Sequence, residues 1–279
     1  MAGARMGVVW DRTVDVLQGR SGILARLAIL FLFVPGVLSA AVSSAATPGT
    51  PLAFVSSLVS IAASIILIAG VLAITAVASD PDVDAAQATR IGVERLLPAL
   101  GAIALIMILL FVVMIPITLL IMHAGATFNP ATGRFDLARA SGSALQLAGV
   151  IGLLALIVGL WLTAKIAPLF AVIVNERRGL GAFARSFRLT RGSALRLIGV
   201  IILYGIVVIV AVMAATVVAG IAARLLLGPD APGGVAFVTG VASSAVTALL
   251  TVVQTVFYAR FYVAVREHDE PKTDTPLEP

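Results

Sequence analysis

Asn175-Glu-Arg-Arg-Gly-Leu-Gly-Ala-Phe-Ala-Arg-Ser-Phe-Arg-Leu-Thr-Arg-Gly-Ser-Ala-Leu-Arg196 is the most basic stretch of this chain, and it lies between two long apolar runs. Residues 143–174 before it carry a single charge, Lys165, and residues 197–223 after it carry none. A helix rising ~1.5 Å per residue needs about 20 apolar residues to cross the hydrocarbon core of a bilayer. Both flanking runs exceed that length. The basic stretch therefore reads as a connector at the membrane surface, where positive-inside statistics place Lys and Arg on the cytoplasmic side.

Working outward, the whole chain has the same character. Its 279 residues are 60% hydrophobic and only 12% charged, with mean hydropathy +1.11; soluble domains carry about 25% charged residues. Six runs are long enough to span: 23–42, 52–79, 96–122, 143–174, 197–223 and 235–265. None shows the alternation of a transmembrane strand. The expected fold class is an all-α integral membrane protein. A secretory signal peptide is the rival reading of the first run, because Leu38–Ala46 is rich in Ala and Ser. No cysteine is present, so disulfides and thiolate metal sites do not enter. The net charge of +5 sits beside apolar runs, and is therefore read as topology rather than as a nucleic-acid footprint.

Shorter features mark the connections. Asp80-Pro-Asp-Val-Asp84 resembles a calcium loop in composition but has neither the central glycine nor the distal glutamate. Asp84 and Gln87 instead have the spacing of a capping box that starts the next helix. His123 closes the third run and is read as an interface residue, since no second ligand stands at helical spacing. The loop 124–140 holds Asn129-Pro130 and Thr132-Gly133 between Phe128 and Phe135, which predicts a small surface hairpin; a ligand lid is the alternative. Pro35, Pro116 and Pro168 predict local bends. Ser56, Ser60 and Ser64 on the second run, and Gly240, Ser244 and Ala248 on the sixth, present small faces suited to close helix packing.

The runs also repeat. Ala53-Phe-Val-Ser-Ser57 matches Ala236-Phe-Val-Thr-Gly240, and at the same offset Ile74-Thr-Ala-Val77 faces Phe257-Tyr-Ala-Arg260, with Leu162-Thr-Ala-Lys165 in the equivalent place. Three units of interfacial amphipathic helix plus helical hairpin are expected, at about 5–80, 84–175 and 179–266, forming a single six-span domain over 1–268. Residues 269–279 are expected to be a disordered cytoplasmic tail. Arg5, Arg12, Arg20, Arg26, Arg90, Arg95, Arg177, Arg178, Arg185, Arg188, Arg191, Arg196, Arg266 and Lys272 all fall on one side, against Arg134, Arg139 and Arg224 on the other. Both termini are thus expected in the cytoplasm.

At 100° per residue, Arg185, Arg188 and Arg191 share one sector of the central stretch, with Phe183 and Phe187 on another. Arginines on lipid phosphates and aromatics among acyl chains are the expected arrangement, each cation contributing roughly 1 kcal/mol at an anionic surface. Lys165 and Arg260 occupy equivalent repeat positions inside apolar runs, where ionisable groups are candidates for function. They form either a paired cationic site for an anionic headgroup or two cations snorkelling to the interface.

Glu176 at the end of an apolar run, Gly179-Leu-Gly181, and Ala184-Arg-Ser-Phe-Arg-Leu-Thr-Arg-Gly192 before the next run together resemble the bacterial membrane-domain family associated with glycerophosphoryl diester phosphodiesterases and its stand-alone relatives. That family commonly has Trp where Phe187 stands. The resemblance implies an inner-membrane protein of poorly defined role, without the separate soluble barrel that carries catalysis in the enzyme members.

The residues agree on catalysis. Phosphodiester hydrolysis with metal assistance needs convergent carboxylates and usually histidine, whereas the acids here are scattered over helix ends and loops. Walker, nucleophile-elbow and zinc spacings are lacking. The expected function is non-enzymatic and cofactor-free: engagement of anionic membrane phospholipid or of a membrane-protein partner through the basic cytoplasmic belt. A permease for an anionic, glycerophosphate-like solute and a membrane subunit regulating a separate phosphodiesterase are the alternatives.

Overall fold

A computed structural model describes residues 5–47, 49–123, 125–129, 134–136, 141–177, 179–228 and 230–269. The expected tail falls mostly outside these residues, as do Arg178 and much of the 124–140 loop. Helix α1 (Met6–Gly19) leads into α2 (Ser21–Ala28), which a π turn at Ile29–Phe33 joins to α3 (Val34–Ala45). Pro35 explains that turn: it has no N–H to donate and its ring crowds the carbonyl four residues back, and a wider turn relieves both. The chain returns through α4 (Pro51–Ser79), whose N-cap Thr50 accepts from the Ala53 N–H.

The next short helix, α5 (Ala85–Glu94), starts with the expected capping box: the Gln87 N–H donates to Asp84 Oδ1 at 2.8 Å, and the Asp84 N–H to Gln87 Oε1 at 3.4 Å. Helix α6 (Leu96–His123) continues through Pro116. Strands β1 (Thr127–Asn129) and β2 (Arg134–Asp136) form the expected antiparallel hairpin, with Phe128 opposite Phe135 and their rings 5.2 Å apart. Helix α7 (Gly142–Ile166) breaks at Pro168 before α8 (Leu169–Asn175). Finally α9 (Ala182–Leu189) precedes the two longest helices, α10 (Ala194–Leu227) and α11 (Pro232–Asp269).

Six helical stretches have the length and composition to cross a membrane: Ser21–Ala45, Pro51–Ser79, Leu96–His123, Leu145–Asn175, Ala194–Leu227 and Pro232–Glu267. These are the six runs read from the sequence, within a few residues at each end. A short helix precedes each pair: α1, α5 and α9. The chain has the build of a predominantly helical, multi-pass membrane protein.

The core is displaced to one end. Leu72 to Ala78 on α4, Ala171 to Val174 on α8 and Val256, Ala259, Phe261 and Tyr262 on α11 are buried, and α11 contributes to three of the apolar clusters there. The short helices close this end: Val9 of α1 packs with Phe257 and Phe261, Ala88 of α5 with Ala73 and Val77, and Ala182 of α9 with Tyr262. Away from it the long helices expose apolar side chains such as Ile108, Phe111, Leu154 and Met213, as lipid-facing surface does.

The small faces are used where backbones cross. A Cβ on Gly240 would stand 2.7 Å from Ala40 Cβ, and one on Gly36 would stand 2.9 Å from Ser244 Oγ, which brings α3 and α11 together. The serine face of α4 meets α3 through Ser39 and Ser60, whose hydroxyls lie 3.0 Å apart.

Candidate functional site

The basic connector folds as a short helix with a buried edge. Ala182, Arg185, Ser186 and Leu189, at helical positions i, i+3, i+4 and i+7, face the bundle. Arg185 is only 9% exposed, and its Nε donates to Glu176 Oε1 at 2.9 Å. The Tyr262 hydroxyl donates to the same oxygen at 3.2 Å. Glu176 therefore ties α9 to α11 at the end of α8. These contacts offset the desolvation of a poorly solvated carboxylate, and removing Arg185 would take away its ion-pair partner.

Ser186 makes the second tie, donating to the Lys165 carbonyl at 2.7 Å. That carbonyl lies in the last turn of α7, where helix ends leave acceptors without intrahelical donors. The Lys165 ammonium sits 5.6 Å from the Trp161 ring centroid, a cation–π distance, and Phe187 meets the same ring edge-on at 6.0 Å. Phe187 is thus half-buried on Trp161 rather than dipping freely into lipid.

The connector's other cations are turned outward. Helix α9 ends at Leu189, where Thr190 donates its hydroxyl to the Ser186 carbonyl and Gly192 turns the chain at φ +82°. Arg191 consequently leaves the helical sector that it would share with Arg185 and Arg188 on one continuous helix. Arg188 on the last turn, Arg191 in the turn and Arg196 at the start of α10 are exposed.

Arg260 lies elsewhere. Its Nη1 donates to the Ala78 carbonyl at 3.1 Å, while its buried Nε has no partner among the described residues. Arg20 donates to the carbonyls of Val77 at 2.7 Å, Asp80 at 2.9 Å and Val83. Two arginines thus cover the C-terminal carbonyls of α4, where orphan acceptors and the negative end of the helix dipole favour cations. Asn175 donates to Ser79 Oγ at 3.1 Å, and Arg12 reaches Glu267 at 3.1 Å. Lys165 and Arg260 share none of these contacts: one faces an aromatic ring, the other a helix end.

Sequence reading missed Arg20 as a cap and Glu176 as the partner of Arg185. Nothing in the spacing of Arg20 distinguishes a cap from a topology signal. For Glu176 the signal was present, as the lone acid between an apolar run and five arginines, Arg177, Arg178, Arg185, Arg188 and Arg191.

A second polar feature lies among α3, α4 and α11. Ser39, Ser43, Ser60, Ser64, Ser243 and Ser244 line an open groove with an empty volume of about 790 Å³.

With this geometry in view, residues 12–265 match the model of a family described as a domain of unknown function, DUF7847. The chain belongs to that family. No curated protein and no solved structure matches it.

Proposed function

We propose that this DUF7847 protein is a non-enzymatic, multi-pass protein of a bacterial inner membrane, with both termini cytoplasmic, that engages anionic phospholipid through its basic end. The observation that carries this reading is the division of labour in the connector: Arg185 and Ser186 anchor α9 to the bundle, which holds Arg188 and Arg191 outward at a fixed level. Exposed arginines held beside apolar spans suit lipid phosphates, each adding roughly 1 kcal/mol near an anionic surface. The short helix ahead of each long pair supports a threefold repeat, and the likeness of residues 176–192 to the phosphodiesterase-associated membrane domain supports an inner-membrane setting.

The test is native mass spectrometry of protein taken gently from vesicles of mixed phosphatidylglycerol and phosphatidylcholine. Wild type is expected to retain phosphatidylglycerol selectively, and Arg188→Ala/Arg191→Ala to lose that selectivity while still folded. Retention without lipid preference overturns the reading and turns attention to a membrane-protein partner, including a separate phosphodiesterase.

The serine-lined groove favours a second reading, a permease. Uptake of glycerophosphate into proteoliposomes, abolished by Ser60→Leu/Ser243→Leu, would support it. No Lys or Arg lies in its lining or within two positions of a lining residue, which favours the lipid reading over an anionic cargo there.

A further inference from the structure

On the side of the basic end formed by α6, Leu97, Pro98, Gly101, Leu105 and Ile108 line an open groove that Gly179 and Leu180 of the connector border. Its empty volume is about 920 Å³, counting the mouth. The α6 residues fall on one helical stripe, and Gly101 and Ala104 make the depression by supplying almost no side chain. From Leu97 to Ile108 the groove runs roughly 16 Å at ~1.5 Å per residue, about half of a ~30 Å hydrocarbon core. Leu97 and Leu180 are 80% and 64% exposed at its rim, so neither is consumed by the protein's own core.

The lining itself carries no charged side chain, and the nearest cations in the chain flank its connector end. Arg95 and Arg177 each stand two residues before a lining residue, Leu97 and Gly179 respectively. They act on one neighbourhood, since the Glu94 carboxyl is held below the usual carboxylate range chiefly by its hydrogen bond and ion pair with Arg90, with Arg95 and Arg177 adding to it. Arg177 is also the one described non-glycine residue at positive φ, +52°. A side chain rarely adopts that conformation, and such strain collects at functional positions. Among the described residues Arg177 has no hydrogen-bond partner.

We infer that this groove is a binding site for a single anionic phospholipid, with one acyl chain along the Leu97–Ile108 stripe under Leu180 and the phosphate at the exposed Arg177. The inference rests on the lipid reading above but uses different residues. An apolar trough one leaflet deep, with an exposed cation beside its connector end, matches the two-part chemistry of a phospholipid.

The test uses the full-length protein in vesicles of phosphatidylcholine doped with phosphatidylglycerol that carries a photoreactive group midway along one acyl chain. Wild type is expected to crosslink chiefly on the α6 peptide containing Leu105 and Ile108. Gly101→Leu fills the groove; a Cβ there meets nothing within 4 Å, so the fold has room for it. It should abolish that crosslink. Arg177→Gly removes the cation while suiting the left-handed backbone. It should lower anionic capture about fivefold, the size of one arginine contact near an anionic surface, without changing capture of the same probe on phosphatidylcholine.

Crosslinks that persist unchanged in Gly101→Leu, or that fall equally for both headgroups in Arg177→Gly, overturn the inference. If lipid selectivity is lost in Arg188→Ala/Arg191→Ala but groove crosslinking is indifferent to headgroup, the groove site fails and the basic-face reading stands. If wild type prefers no anionic lipid in either assay, both fail.

Discussion

Arg185 shows how one residue type can be topology signal, anchor and lipid contact in a single segment. Paired with Glu176 at 2.9 Å and nearly excluded from solvent, it fixes the position of α9. Arg185→Ala is expected to destabilise the fold by about 3–5 kcal/mol, because the poorly solvated Glu176 carboxylate loses its ion-pair partner. Glu176→Gln/Arg185→Met should recover most of that loss, read as melting temperature in one detergent. Arg20→Ala should cost about 1–3 kcal/mol through the acceptors it uncovers at Val77 and Asp80. Equal melting of Arg20→Ala and wild type would show that water replaces the guanidinium there.

The same principle holds for the elements. Helices α1, α5 and α9 are amphipathic in sequence, and their apolar faces close the end of the bundle. For α5 the approach is limited by Gly92, where a Cβ would stand 2.5 Å from the Ala69 carbonyl oxygen. Backbone cannot yield as a flexible side chain can, so Gly92→Ala is expected to cost about 1–3 kcal/mol by overpacking. Gly149→Ala on α7 has nothing within 4 Å and should melt at or above wild type, since alanine favours the helix. If both variants melt alike, α5 does not pack on α4 as described.

For the whole molecule, the decisive question is which end faces which compartment. The natural chain has no cysteine, so single introduced cysteines report cleanly. Asp82 and Thr127 are both exposed and are separated along the chain by one apolar helix, α6. Asp82→Cys is expected to resist a membrane-impermeant maleimide in intact cells, while Thr127→Cys reacts. Reaction of both would mean that α6 does not cross.

Sequence alone determined the number and limits of the apolar helices, the capping box at Asp84, the hairpin at Phe128 and Phe135, and the gathering of cations at the connectors. Each rests on local rules: the length needed to cross hydrocarbon, the reach of a side chain to its own backbone, and the period of a helix. Only the tertiary structure decided which cations are free. Arg20, Arg185 and Arg260 look like Arg188 and Arg191 along the chain, but Arg20 and Arg260 are held by carbonyls far away in sequence, those of Val77, Asp80 and Ala78, and Arg185 is turned inward onto Glu176, nine residues before it. Charge is a property of the residue; whether it is satisfied depends on which helix ends the fold brings within about 3 Å, and no local pattern encodes that.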